Sequence, residues 1–199
     1  MLIKATCITH LSDARYFAAR GVDFLGFNLE EGAEGYLDPM YMKAIREWVE
    51  GPAIVGEFST SPATTVREAA AFFGLDAVQI NAQTPLADLS LLAGLRVILE
   101  IEAESAADAE QIMQQTQPYV HLFLLHFSEK SLPEIVLSDW ADLFARYPVL
   151  LQLDASPTVW RAWVDALKPQ GISIIGAAEE RVGVKSFDEV EAIFEELGA

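Results

Sequence analysis

A second cysteine, a surplus of basic residues and any long apolar run are all missing from this sequence, and each absence excludes something. The single cysteine, Cys7, has no partner within the chain, so an internal disulfide is ruled out and a reducing, cytoplasmic setting is expected. No Cys/His spacing suggests a zinc site. Although 52% of the residues are apolar, no stretch approaches the roughly 18 positions of a membrane span. The opening Met1-Leu2-Ile3-Lys4-Ala5-Thr6-Cys7 runs straight into a strand-like pattern. It lacks the basic region, apolar stretch and small-residue cleavage site of a signal peptide.

Basic residues are scarce: 13 Lys and Arg stand against 30 Asp and Glu, a formal charge of −17. A field of that sign repels polyphosphate and anionic surfaces, so neither nucleic acid nor membrane is an expected partner. A small-molecule ligand is expected instead, on a chain that is a monomer or a homodimer. A phosphorylated ligand would need its own pocket of backbone N–H groups or basic side chains. Much of the acidity is accounted for by a solvated surface that keeps the protein soluble.

What the sequence does contain is alternation. Short apolar runs over residues 2–7, 22–27, 53–58, 77–81, 96–102, 119–126, 149–153 and 172–175 read as strands. Amphipathic stretches over 12–19, 39–50, 62–73, 86–92, 106–116, 138–146, 158–167 and 187–197 read as helices. The strands are mostly continuous apolar runs, as expected where helices cover one face and a packed interior fills the other. Ser61-Pro62 and Ser156-Pro157 suit helix starts, and Ser186 with Glu189 suits a capping box. Gly21, Gly74, Gly94 and Gly171 are placed to end helices in a left-handed turn. Repeats of about 25 residues fit one α/β domain over residues 1–199, a (β/α)8 TIM barrel. An open doubly wound sheet is the alternative, but no Gly-rich dinucleotide loop follows the first strand. Trp160 and Trp163 read as helix-on-barrel packing, with a homodimer contact reasonable if one is exposed. Trp48 and Trp140 also read as packing residues.

Several fragments carry a resemblance. Ile3-Lys4-Ala5-Thr6-Cys7-Ile8-Thr9 with Ser12-Asp13-Ala14, Gly21-Val22-Asp23-Phe24-Leu25-Gly26-Phe27 and Val55-Gly56-Glu57-Phe58 are three of them. Leu75-Asp76-Ala77-Val78-Gln79-Ile80 and Gly183-Val184-Lys185 complete the set. In this order and spacing, over essentially the whole chain, they resemble the phosphoribosylanthranilate isomerases of tryptophan biosynthesis. The resemblance implies an Amadori rearrangement without a cofactor. An acid opens the ribose ring to a Schiff base, and a base then removes the C2 proton to give an enolamine.

The same resemblance implies a base in a Lys-x-Cys-Gly-x-Thr motif. Here Thr6 takes the cysteine position and Cys7 the glycine position, so the thiol is expected to point elsewhere unless the strand end bulges. The implied acid, an aspartate, is replaced by His126, which can still transfer protons near neutral pH. The implied phosphate cradle of glycines is met by Phe127-Ser128-Glu129-Lys130, by Leu153-Asp154 and by Ile175-Gly176-Ala177. Only Gly176 and the following helix start keep anion-binding character. An implied arginine is absent, since the corresponding stretch reads Ala33-Glu34-Gly35-Tyr36. A strand-eight aspartate is replaced by Ser173, and Gln79 is kept while Asn81-Ala82 follows it.

The expected mouth residues are therefore acidic and amide-rich: Glu57, Glu100, Glu102, Glu129 and Asp154 with Asn28, Gln79, Asn81 and Gln152, plus Thr6 and His126. Three readings stay open. The first is a barrel without isomerase activity, binding a small polar ligand or a protein partner through Thr6, Gln79, Asn81, Asp154 and Gly176. The second is an enzyme of different acid/base chemistry built on His126 and a carboxylate. The third is the isomerase with a rearranged site, using Cys7 as base and His126 as acid. Asp154, His126 and a glutamate also form a conceivable divalent-cation set, although no metal is assigned.

Overall fold

The computed structural model describes residues 1–176, 179–181 and 184–198. Eight parallel strands close in chain order. They are β1 (Leu2–Thr6), β2 (Phe24–Asn28), β3 (Ala53–Glu57), β4 (Ala77–Asn81), β5 (Val97–Ile101), β6 (Leu122–Phe127), β7 (Val149–Leu153) and β8 (Gly171–Ile175). The barrel shuts where β8 pairs with β1, with Lys4 opposite Ser173 and Thr6 opposite Ile175. Helices α1 (Leu11–Ala19), α2 (Pro39–Arg46), α3 (Ala63–Phe73), α4 (Leu86–Leu89), α5 (Ala106–Thr116), α6 (Leu137–Arg146), α7 (Pro157–Leu167) and α8 (Asp188–Leu197) alternate with the strands. The fold is the (β/α)8 barrel expected from the alternation.

Strand periodicity sorts the side chains into two cores. Phe24, Val55, Ala77, Ile98, Leu124 and Leu150 point inward and fill the barrel. The residues between them, such as Leu25, Val78, Leu99, Phe123 and Leu151, point outward and pack under the helices with Phe17, Met42, Trp160 and Phe194. One step beyond the apolar inner layer, on the same faces of the strands, come Lys4 and Thr6, Glu57, Gln79, Glu100, His126 and Gln152. The site is thus the polar top of an apolar plug.

Local details differ from expectation at several points. α2 stops at Arg46, not residue 50, so Trp48 lies beyond the helix in the turn before β3. It is 71% exposed instead of packed. Trp140, Trp160 and Trp163 are buried, so neither Trp160 nor Trp163 offers an exposed ring for a homodimer contact. Ser61 and Ser156 give no side-chain cap to α3 or α7. Ser186 accepts from the Asp188 N–H, not from Glu189 as a capping box requires. Gly21, Gly74 and Gly94 do adopt positive φ. Gly171 instead lies within β8, where an added Cβ would meet Leu2 Cβ at 2.7 Å; close strand approach, not a helix end, explains it. An antiparallel pair, β9 (Glu179–Arg181) and β10 (Val184–Lys185), follows β8 and was not foreseen. Ala177 and Gly183 lie outside the described residues.

Candidate active site

The C-terminal end of β1 decides where the first two candidate residues go. Thr6 is the last strand residue, and its side chain faces the barrel axis, 4% exposed. Its hydroxyl donates to Glu57 Oε1, and so does the fully buried Lys4 ammonium. Cys7 leaves the strand with φ of 56°, a left-handed conformation that an L side chain adopts at a cost. Its backbone N–H reaches Glu57 Oε2 at 3.3 Å. Cys7 is exposed at the rim and is one of the residues that border the central cavity. Although the residue is exposed, partial burial of the sulfur itself, with the Glu57 carboxylate adding to it, pushes the thiol up to about 11. Such a thiol stays protonated at neutral pH.

Glu57 therefore sits at the centre of a buried ion pair. The Lys4 ammonium, the Thr6 hydroxyl and the Cys7 N–H all converge on its carboxylate. Room for this cluster comes from Gly26 on the neighbouring strand. A Cβ there would come within 2.7 Å of the Glu57 carboxyl carbon and 2.9 Å of Lys4 Nζ.

Glu100, two strands further round, is held differently. Among the described residues one donor reaches it: Gln79 Nε2, 3.0 Å from Oε2. Burial raises its carboxyl above the ordinary carboxylate range, and the Glu57 charge adds to this. The Gln79 hydrogen bond and the Lys4 charge oppose the rise. A carboxyl raised toward neutrality in a cleft is the usual form of a protein acid/base group.

On β6, His126 Nε2 lies 3.0 Å from Asp154 Oδ2. Both side chains are partly exposed, at 28% and 38%. Register explains the meeting: β6 and β7 run side by side with His126 opposite Gln152, so Asp154, just past the strand end, comes alongside the imidazole. Register also puts the imidazole and the Glu100 carboxyl on one rim, because Glu100 lies opposite Leu124, two residues before His126 on the same face of β6.

A cavity of about 140 Å³ opens between these groups, bordered by Thr6, Cys7, Glu57, Gln79, Glu100 and Gln152 among others. It is smaller than the roughly 300 Å³ at the low end of whole-ligand pockets, so it suits part of a substrate. A larger depression of about 680 Å³ lies at the opposite end, against Met1, Asp23, Arg146 and Lys168. The strands begin there, whereas barrel chemistry belongs to the ends where they finish.

The structure thus brings together Thr6, Cys7 and Gln79, and separately pairs His126 with Asp154. Asn81 lies at the end of β4, but its Oδ1 accepts from the Gln83 N–H in a local turn and it does not border the cavity. The Gly176 N–H donates to Thr6 O at 2.9 Å and the Asp154 N–H to Phe127 O at 3.1 Å. Both amides are engaged by the neighbouring strand, so the Gly176 N–H expected to bind an anion is already committed to Thr6 O. Glu102 and Glu129 are exposed. Sequence reasoning sets Glu57, Glu100 and Gln152 at the mouth without a role for any of them, and it misses Lys4 as a member of the site. The inner-face phase of β5, shared by Ile98 and Glu100, is the signal that marks Glu100. Among the described residues no group of three or more His, Cys, Asp or Glu is placed to hold a metal ion. Among them, too, no helix is long and apolar enough to cross a membrane.

Comparison with known proteins matches residues 3–196 to the family described as N-(5'-phosphoribosyl)anthranilate (PRA) isomerase. The chain is similar to the N-(5'-phosphoribosyl)anthranilate isomerase of Deinococcus radiodurans, 26% identical over 200 aligned positions covering 97% of this chain and 94% of that protein. The enzyme of that name from Roseiflexus sp. is 27% identical over 144 positions, covering 70% and 67%. Among solved structures, phosphoribosyl anthranilate isomerase from Thermus thermophilus superposes with a TM-score of 0.81 at 27% identity, covering 100% of this chain and 98% of that one. The Thermotoga maritima protein gives a TM-score of 0.85 at 20% identity, covering 100% and 99%, a likeness of fold.

Proposed function

The chain belongs to the N-(5'-phosphoribosyl)anthranilate isomerase family, and from that premise we propose that it is such an isomerase with a rearranged proton-transfer pair. His126, oriented by Asp154, serves as the acid. It gives its proton to the ring oxygen as the C1–O bond breaks, leaving a Schiff base at C1. Glu100 serves as the base. It takes the C2 proton, the freed electron pair forms the C1–C2 double bond, and the enolamine then tautomerises to the ketose. The reaction is an isomerisation and needs no oxidant or cofactor. Cys7 is not assigned the base, because its thiol is held protonated. Glu57 is not assigned it either, because its carboxylate is already engaged by Lys4, Thr6 and the Cys7 amide.

The observation that supports this reading most is the His126–Asp154 pair on the same rim as Glu100, a carboxyl held by the Gln79 amide and with a raised affinity for its proton. The test is rescue of a tryptophan auxotroph lacking its own isomerase. Rescue by the wild-type chain, retained by Cys7→Ser and lost in His126→Ala and Glu100→Gln, is the expected result. Loss of each group is expected to lower turnover by about 10²–10⁴-fold.

A second reading, a barrel that binds without turnover, is favoured by the ends of β7 and β8. There the Asp154 carboxylate and two amides committed to neighbouring strands oppose a phosphate at a cost of about 2–5 kcal/mol. Failure of the soluble wild-type chain to rescue would overturn the isomerase and leave this reading.

A further inference from the structure

Three successive amides after β3 converge on one carboxylate. Glu30 Oε2 accepts the N–H groups of Ser59, Thr60 and Ser61 at 3.0, 3.2 and 3.1 Å, and Oε1 accepts the Thr60 hydroxyl at 2.7 Å. The donors belong to the turn that leads into α3, a helix with no side-chain cap of its own. Amides just ahead of a helix lie outside its hydrogen-bond ladder, and a carboxylate that collects them is held by charge-assisted bonds. Desolvation raises the Glu30 carboxyl, but the Thr60 hydroxyl and the Thr60 and Ser59 amides outweigh it and hold the group below the ordinary carboxylate value. The turn grips the anion.

The carboxylate itself comes from a different loop. Between β2 and α2 the chain doubles back: the Leu37 N–H returns to Asn28 O at 2.8 Å. Asn28 gives its Nδ2 to Glu34 O and accepts the Glu30 N–H on its Oδ1. Gly32 and Gly35, both at positive φ, make the reversal. Leu29 and Leu37 are buried at its neck, and most residues between them are exposed. The Glu30 contacts therefore tie this loop to its neighbour across 29 to 31 positions of chain. Both ends of the tie reach the mouth, because Asn28 and Ser59 each border its cavity.

We propose that Glu30 is a positioning residue, a clamp that locks the 29–37 loop to the 59–61 turn and so fixes the gap between the Asn28 and Ser59 walls of the mouth. The clamp stands on the β2 and β3 side, whereas the proton-transfer groups assigned above stand on β5, on β6 and just past β7. Its loss therefore loosens substrate binding and spares proton transfer, which raises KM and leaves kcat nearly unchanged. That kinetic consequence rests on the reading of the mouth as an isomerase site; the clamp does not.

Amide hydrogen exchange of the full chain at neutral pH reads the clamp without any turnover. In Glu30→Ala the amides of residues 59–61 and those of Ala33, Tyr36 and Leu37 are all expected to exchange at least about tenfold faster. Glu30→Gln, which keeps the length and loses the charge, is expected to act the same way to a smaller extent, and Glu31→Ala to change neither segment. Faster exchange confined to 59–61 would reduce Glu30 to a cap on α3 and overturn the clamp, and unchanged exchange in both segments would overturn it too. Added acetate can enter the vacated turn of Glu30→Ala but is not attached to the loop. Residues 33–37 are therefore expected to stay fast in acetate, and their return to wild-type rates would count against a clamp. In a chain that rescues the auxotroph, Glu30→Ala is expected to raise KM about tenfold with kcat within about threefold of wild type; a fall in kcat at unchanged KM would overturn the positioning role. Loop exchange that responds as expected in a chain without rescue sinks the isomerase and keeps the clamp, and rescue with unresponsive loop exchange does the opposite.

Discussion

Gly26 and Glu57 share one space inside the barrel: the missing side chain of the first is where the carboxylate of the second meets Lys4. An added methyl on Gly26 would come within 2.7 Å of the Glu57 carboxyl carbon. A free glutamate would swing aside, but this one is anchored by Lys4 and Thr6. Gly26→Ala is therefore expected to destabilise by about 1–3 kcal/mol, the usual penalty for overpacking. Urea unfolding measures it, and an unchanged midpoint would show the carboxylate to be loosely held.

Removing the charge of Glu57 has a larger effect. Lys4 is fully buried, and Glu57→Gln leaves its ammonium without its ion-pair partner. A loss of about 3–5 kcal/mol is expected, most of it recovered when Lys4→Met is added. Calorimetry of the two single variants and the double checks this. A double variant as unstable as the sum of the singles would mean the two side chains act separately.

The Cys7 thiol is raised from 9.0 to about 11, chiefly by desolvation. At pH 8 its thiolate fraction is then about a hundredfold below that of the unfolded chain. Alkylation by iodoacetamide, followed by mass spectrometry, is expected to be slower in the folded protein by that order. Because the raised value means stability is fully present below 9 and lost as pH rises through about 11, Cys7→Ser is expected to hold stability better in that window. Equal alkylation rates folded and unfolded would remove the case against Cys7 as base.

Glu100 gives a second pH signature. Its carboxyl is raised above the ordinary value of 4.5, with burial the main cause. Its neutral form is the one the fold prefers, so its contribution is fully present below 4.5 and is lost as pH rises through the folded value. Glu100→Gln removes that loss. The variant is expected to match wild type near pH 4 and to become the more stable of the two toward neutrality, even as activity falls. A stability difference independent of pH would show that burial does not act on this carboxyl.

Much of this molecule was legible in its sequence because strand and helix periods are local. The continuous apolar runs marked every barrel strand to within a few residues, and the order of elements followed. Trp48 was misread because an amphipathic pattern does not show where its helix stops: the end at Arg46 turned an apparent packing residue into an exposed one. Glu57 and Glu100 were visible as mouth carboxylates, but a slip of one residue in strand phase reverses the face, so their inward direction was not decided by pattern alone.

The sequence by itself determined the barrel, its family resemblance and the chemical palette of the mouth: one thiol, one imidazole, several carboxylates and amides. Only the tertiary structure decided how these groups are paired. Lys4 meets Glu57 and His126 meets Asp154 across 53 and 28 positions of chain, distances over which no local rule acts. Those contacts follow from strand register and barrel closure, which bring remote strand ends to one rim. They leave Glu57 engaged and Glu100 with its proton more tightly held.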